Sequence, residues 1–210
     1  MSTKDKILNA ALKLFNEEGF MNVNMRQIAQ ETGISIGNLA YHYKNKEMMV
    51  EAIHQKIMDE RNELLANVQF IPSIANIHQQ LIPLLELYKK YRFFYLDILE
   101  VVRALPSIAK IHQQHIENQI TYIKAIIDYS VGSGNMNPEP KAGFYEEMAH
   151  TVWILLSFWL NQEMIRGREG NYYDEARKAI WNLVYPHLTE KGHHNMRQIE
   201  DQSSLKTIDN

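Results

Sequence analysis

The sequence predicts an all-α fold, and three observations point there. Apolar residues recur at spacings of three and four through most of the 210 residues, no stretch alternates apolar and polar over a useful strand length, and glycine (9) and proline (6) are too scarce for a turn-rich β-sandwich. With 45% hydrophobic and 22% charged residues the chain has the balance of a globular protein with a packed core. There is no cysteine, which excludes disulfide scaffolds, thiol catalysis and thiolate zinc sites together.

Taken in order, residues 4–18 form an amphipathic helix with Ile7, Ala11, Leu14 and Phe15 on its apolar face. Ser2 or Thr3 caps its start and Gly19 stops it. A short second helix starts at Asn24, which with Gln27 three residues on resembles a capping box; Ile28 and Ala29 are its apolar face and Gly33 ends it. Ser35 caps a third helix through about Tyr43, and Asn45 caps a fourth over 46–68. Longer helices follow: 74–103 with a break around Tyr91 and Arg92, then 106–131, 141–166 and 172–188. Pro83 kinks or starts one of them and Pro106 suits a first turn. Residues 132–135, extended by Pro138 and Pro140, and residues 166–170 are breaks. Residues 190–210 are polar without an apolar stripe and read as a frayed, flexible tail. The whole is a small N-terminal three-helix unit followed by a larger bundle.

No segment reaches the roughly 18 apolar residues of a membrane span; the densest run, 151–160, is about half that. The N-terminus lacks an apolar signal region, so a cytoplasmic protein without membrane contact is expected. The net charge of −3 is unevenly spread: residues 1–46 hold six Lys/Arg against four Asp/Glu, and the rest 16 against 21. A mildly basic head on an acidic body hints at a polyanion-facing module.

Residues 26–42 carry the most specific pattern. A helix-turn-helix needs a small residue at the inner contact (Ala29), a glycine four residues later in the turn (Gly33) and apolar anchors around it (Ile28, Ile34 and Leu39). The outer face of the third helix, with Ile36, Gly37, Asn38, Tyr41 and His42, is then free to enter a major groove about 12 Å wide. Asn38 suits an adenine edge, Tyr41 and His42 a phosphate or a stack, and Arg26 a guanine edge. Lys44 and Lys46 lie at the start of the fourth helix, where free backbone N–H groups and a lysine favour a phosphate. With Asn24, Gln27 and Ser35 at the helix starts, these residues are the candidate DNA-binding set. The plain alternative is a helical subdomain with a polar surface.

The run from Val23 to Glu47, VNMRQIAQETGISIGNLAYHYKNKE, resembles the DNA-binding signature of tetracycline-repressor-type (TetR family) regulators, over about residues 4–55. The resemblance implies a domain over 1–47 that binds double-stranded operator DNA as a homodimer, and a divergent helical domain over 48–189 that dimerises and holds a small-molecule effector. It gives Arg26 a base-reading role, Asn38 a groove-facing role, and Tyr41, His42 and Lys46 backbone contacts. It implies no enzyme activity, and repression rather than activation. The chain departs from the pattern at Asn24, where the family often has Thr, at Ala40, where an aromatic is common, and at Ile36, where a polar or basic residue is frequent. The stretch Tyr91-Arg92-Phe93-Phe94-Tyr95 looks like a short motif of a subset of these regulators.

In the body of the chain, Tyr88, Phe94, Tyr122, Met148, Trp153, Phe158 and Trp159 either pack as core or line an apolar effector pocket. Helices 141–166 and 172–188 are apolar on more than one side, so Trp153, Leu156, Leu160, Met164, Ile180, Leu183 and Val184 are candidates for a two-fold interface, unless both helices are simply interior.

A rival reading rests on Glu51-x-x-His54 and Glu147-x-x-His150, the spacing of a ferritin-like di-iron bundle, with Glu86, Glu100 or Glu117 as further ligands. Chance accounts for such pairs in a chain this rich in Glu, and a third, Glu190 to His193, crosses Gly192. His112 and His115, three apart, lack further ligands. No metal or cofactor is expected, and no nucleotide fingerprint or nucleophile elbow occurs.

Overall fold

The computed structural model describes residues 2–66, 72–168 and 173–208, with backbone alone for 66 and 200–208. Among these residues the regular structure is helical: α1 (Thr3–Glu18), α2 (Met25–Thr32), α3 (Ile36–His42), α4 (Lys46–Ala66), α5 (Ile74–Lys90), α6 (Arg92–Leu96), α7 (Ile98–Ala104), α8 (Pro106–Gly132), α9 (Phe144–Ile165), α10 (Tyr173–Val184) and α11 (Glu190–Ile208). A 3-10 turn, Tyr185–His187, follows α10. No described helix is long and apolar enough to cross a membrane.

The chain divides into two compact units, 1–65 with 87–114, and 66–86 with 115–210. The boundary expected near residue 47 falls inside the first unit. The reason is packing: Met49, Val50, Ile53 and Ile57 of α4 complete the buried cluster formed by Ile7, Phe15, Phe20, Ile28 and Leu39, and Phe93, Phe94, Val101 and Ile108 join the same cluster. Each such side chain contributes about 1.5–3 kcal/mol when fully buried, so the N-terminal three-helix unit packs as one body with α4, α6, α7 and the start of α8.

In the second unit, Tyr145 donates to the Asn137 carbonyl at 2.7 Å, and Met136 pairs antiparallel with Leu188 in an isolated bridge. The frayed tail expected beyond residue 190 is instead helix α11. Its first turn is held by polar contacts rather than by a stripe: Gly192 N–H donates to the capping Thr189 hydroxyl, Lys191 Nζ donates to the Ser133 carbonyl at 2.7 Å, and Asn195 donates to Asn135 Oδ1 at 2.9 Å. Met196 is buried. Glycine is required at 192 because a Cβ there would lie 2.1 Å from the Asn135 carbonyl oxygen. Residues 209 and 210 lie outside the described residues, as do 169 and 170 of the expected break at 166–170.

Candidate nucleic-acid interface

The reading head is built from short-range hydrogen bonds. Ser2 and Asp5 form the capping box of α1. Asn24 Oδ1 accepts from the N–H groups of Arg26 and Gln27, while Gln27 Oε1 accepts from Asn24 N at 2.8 Å. That satisfies donors the start of α2 leaves open. Gly33 adopts φ 73°, the left-handed turn conformation, and its N–H bonds back to Ala29 and Gln30. Open space surrounds the position of a Cβ there, so glycine is required for its backbone angle and not for clearance. Ser35 Oγ accepts from Asn38 N at 3.1 Å and starts α3; Leu39 is fully buried beneath it.

This geometry divides the sequence-derived candidates into two groups. Arg26, Ile36, Gly37, Asn38, Tyr41 and Lys44 are exposed, Tyr41 by 85% and Ile36 by 52%; His42 is partly exposed, with its ring edge-on to Tyr41 at 5.3 Å. Among the described residues the Arg26 guanidinium has no hydrogen-bond partner, and it is carried on the exposed first turn of α2. The other group is committed to hydrogen bonds within the head. Asn24 and Ser35 spend their oxygens as caps, and Gln27 both caps and donates to Glu18 Oε2 at 3.0 Å.

Lys46 departs furthest from the phosphate contact expected of it. Its Nζ lies 2.9, 3.2 and 3.0 Å from the carbonyl oxygens of Phe20, Met21 and Val23, and 4.5 Å from the centre of the Phe20 ring. An ammonium has three donors, so all are committed to the loop between α1 and α2. Lys46 is a buckle of the reading head. Sequence reasoning missed it because carbonyl groups carry no sequence signal.

Two further anchors hold the head to the rest of its unit. Asp97 Oδ2 accepts from Phe20 N at 3.1 Å. The aromatic run 91–95 places Phe93 against Phe15, ring centres 5.2 Å apart, and Phe15 against Phe20 at 5.8 Å. Beneath them His54 of α4 and His112 of α8 flank Phe94, at 5.1 and 5.4 Å between ring centres. Burial holds both imidazoles neutral: it pushes His54 down, and it pushes His112 down to about 4 with a smaller contribution from His54.

The candidate pocket residues are spread over both units. Tyr88 and Phe94 belong to the first unit and Tyr122, Met148, Trp153, Phe158 and Trp159 to the second. Met148 is core, and Phe158 is an exposed side chain touching Trp153 edge-on at 6.0 Å. Of the candidate interface residues, Leu156 and Ile180 are buried within the protomer and unavailable to a partner; Trp153, Leu160, Leu183 and Val184 are partly exposed and Met164 is exposed. Besides Met164, α9 turns Ile154, Phe158 and Ile165 outward, and these three share one helical face.

The rival metal site does not assemble. Glu51 accepts from the Ser107 hydroxyl at 2.6 Å, Glu147 and His150 are exposed, and His54 lies in the other unit. Among the described residues no three His, Asp or Glu side chains gather as metal ligands.

Among the described residues, a trihelical head with a capped, outward-facing α3 is the arrangement of a helix-turn-helix DNA-binding module. The comparisons agree. The profile described as "Bacterial regulatory proteins, tetR family" matches residues 7–53, and that described as TetR, "Bacterial transcriptional repressor", matches residues 49–196. The chain therefore belongs to the TetR family. It is 37% identical over 76 residues to the HTH-type transcriptional regulator UidR of Escherichia coli (strain K12), covering 36% of each chain. To the HTH-type transcriptional repressor KstR2 of Mycolicibacterium smegmatis it is 36% identical over 58 residues, 28% of each chain. These matches span well under half of the curated relatives' length. At the level of fold, it superposes on a TetR-family transcriptional regulator from Marinobacter aquaeolei VT8 with a TM-score of 0.83 at 24% identity, covering 96% of this chain and 98% of that one. A transcriptional regulator from Saccharomonospora viridis in complex with choline gives 0.70 at 20% identity, covering 89% and 97%.

Proposed function

We propose that the protein is a homodimeric repressor that acts in the cytoplasm, binds a near-palindromic operator in successive major grooves, and is released from it by a small molecule. The carrying observation is the outer face of α3 and the first turn of α2. Asn38, Tyr41 and Arg26 stand exposed there, with Lys44 just beyond α3, on helices α2 and α3 whose starts are both capped, so the readers are preorganised and the capping oxygens are committed to the backbone. Arg26 and Asn38 read base edges, and Tyr41, His42 and Lys44 contact the backbone. With few cations on the face, the salt dependence of binding is modest.

Dimerisation is supported by the outward apolar row Ile154, Phe158 and Ile165 on α9, a row that suits a two-fold partner helix. A dimer places two α3 helices one DNA turn apart, about 34–36 Å. Repression is supported by the description of the family profile over 49–196 and by the KstR2 relative. Effector control is supported by the fold relative in complex with choline. An effector that favours a DNA-incompetent spacing of the two heads weakens operator binding, and operator weakens effector binding by the same factor.

Selection from random duplexes tests the reading. It should return an inverted repeat with half-sites about one turn apart. Purified, aggregate-free protein with no affinity for any selected duplex at low ionic strength would overturn it.

A further inference from the structure

We propose that His78 of α5 and Trp181 of α10, with Arg177 beside them, form a subsite in the second unit that receives the carboxylate of a small organic acid. Arg177 Nη1 lies 2.8 Å from His78 Nε2. A guanidinium only donates, so Nε2 accepts and the ring proton is assigned to Nδ1. That Nδ1 is buried and has no hydrogen-bond partner among the described residues. The Trp181 ring stacks on His78 with centres 6.0 Å apart and planes 29° apart, and its Nε1 is likewise buried with no partner. Both side chains are more than nine-tenths buried.

Among the described residues, two buried N–H donors on neighbouring rings are thus left without an acceptor. A buried donor without a partner is costly, so the site favours a group that brings lone pairs and no hydrogen of its own. A carboxylate brings two such oxygens. The local charge has the right sign: Arg177 is largely buried, whereas its partner Asp174, at 2.6 Å from Nη2, is half exposed and screened by water. The same surroundings hold His78 neutral, through burial first and the Arg177 charge second. None of these residues belongs to the aromatic set the sequence suggested as a pocket. The subsite rests on the effector reading only for its regulatory consequence, and its occupancy is measured without DNA, so its failure would leave the regulator reading standing.

The test is a titration of 15N-labelled protein with propionate, hexanoate and benzoate against propanol, hexanol and benzyl alcohol. The indole N–H signals of the three tryptophans are followed, with Trp181 assigned by Trp181→Phe. The acids should shift the Trp181 and His78 ring signals saturably at millimolar concentration and the alcohols should not. Trp181→Phe keeps an aromatic ring and removes the donor; it should weaken acid binding about tenfold, judged on the His78 signal. His78→Phe, read on the Trp181 signal, gives the same readout if the first variant does not fold. No shift with any acid, as a single bound water would give, overturns the proposal, and so do equal shifts with the alcohols.

Discussion

Arg92 and Asn16, 76 residues apart in the chain, are joined by a hydrogen bond of 2.8 Å from Arg92 Nε to the Asn16 carbonyl. The Asn16 side chain completes the joint, donating to the Lys90 carbonyl at 2.9 Å and accepting from Phe93 N at 3.1 Å. The C-terminal end of α1 is thereby tied to the junction of α5 and α6. Replacing Asn16 by Leu removes both side-chain bonds and leaves two backbone groups unmet. Unfolding in urea should show a loss of about 1–3 kcal/mol; an unchanged midpoint would mean that the joint adds nothing to the unit.

Lys46→Met should lower stability by about 1–3 kcal/mol, because three carbonyls lose their donor while the side-chain bulk is kept. The salt dependence of operator binding, corrected for the folded fraction, should stay as in the parent. A flattened salt slope would return Lys46 to the phosphate role that the sequence suggested.

Arg26→Ala should cost about 1–3 kcal/mol of operator binding and relax the preference at one base position of each half-site. The same loss on every duplex would mark Arg26 as a backbone contact. Lys44→Ala should give that uniform loss, with a smaller salt slope.

Phe158→Glu places a charge on the outward row of α9. In a two-fold interface the change acts twice, so dimer dissociation should strengthen by at least about a hundredfold, or roughly 3 kcal/mol. Sedimentation of the parent at micromolar concentration should give twice 24.6 kDa. A variant that remains a dimer would move the interface elsewhere.

Acid should loosen the first unit through His54 and His112. Both are held neutral in the folded chain, so between the ordinary value of 6.5 and about 4 the unfolded chain binds more protons. Their contribution is therefore fully present above pH 6.5 and lost as pH falls toward 4. Urea midpoints measured from pH 7 to 4 should fall more steeply for the parent than for His112→Gln; parallel curves would exclude the pair as the cause.

The reading head was legible in the sequence because it is made of local interactions. The capping roles of Asn24, Gln27 and Ser35, the left-handed Gly33 and the buried Ala29 all act within a few residues, so spacing alone locates α2, the turn and α3. Family membership followed from the same residues. The tertiary structure decided what depends on partners distant in the chain. It joined Lys46 to three carbonyls, merged α4 and the aromatic run 91–95 with the head, and folded residues 190–208 into a helix held by the turn at 133–135. It also separated Ile154 and Phe158, which face outward, from Leu156 and Ile180, which face inward. On helices apolar around their circumference, periodicity gives no preferred face; only the packing of neighbouring helices determines which side is left open.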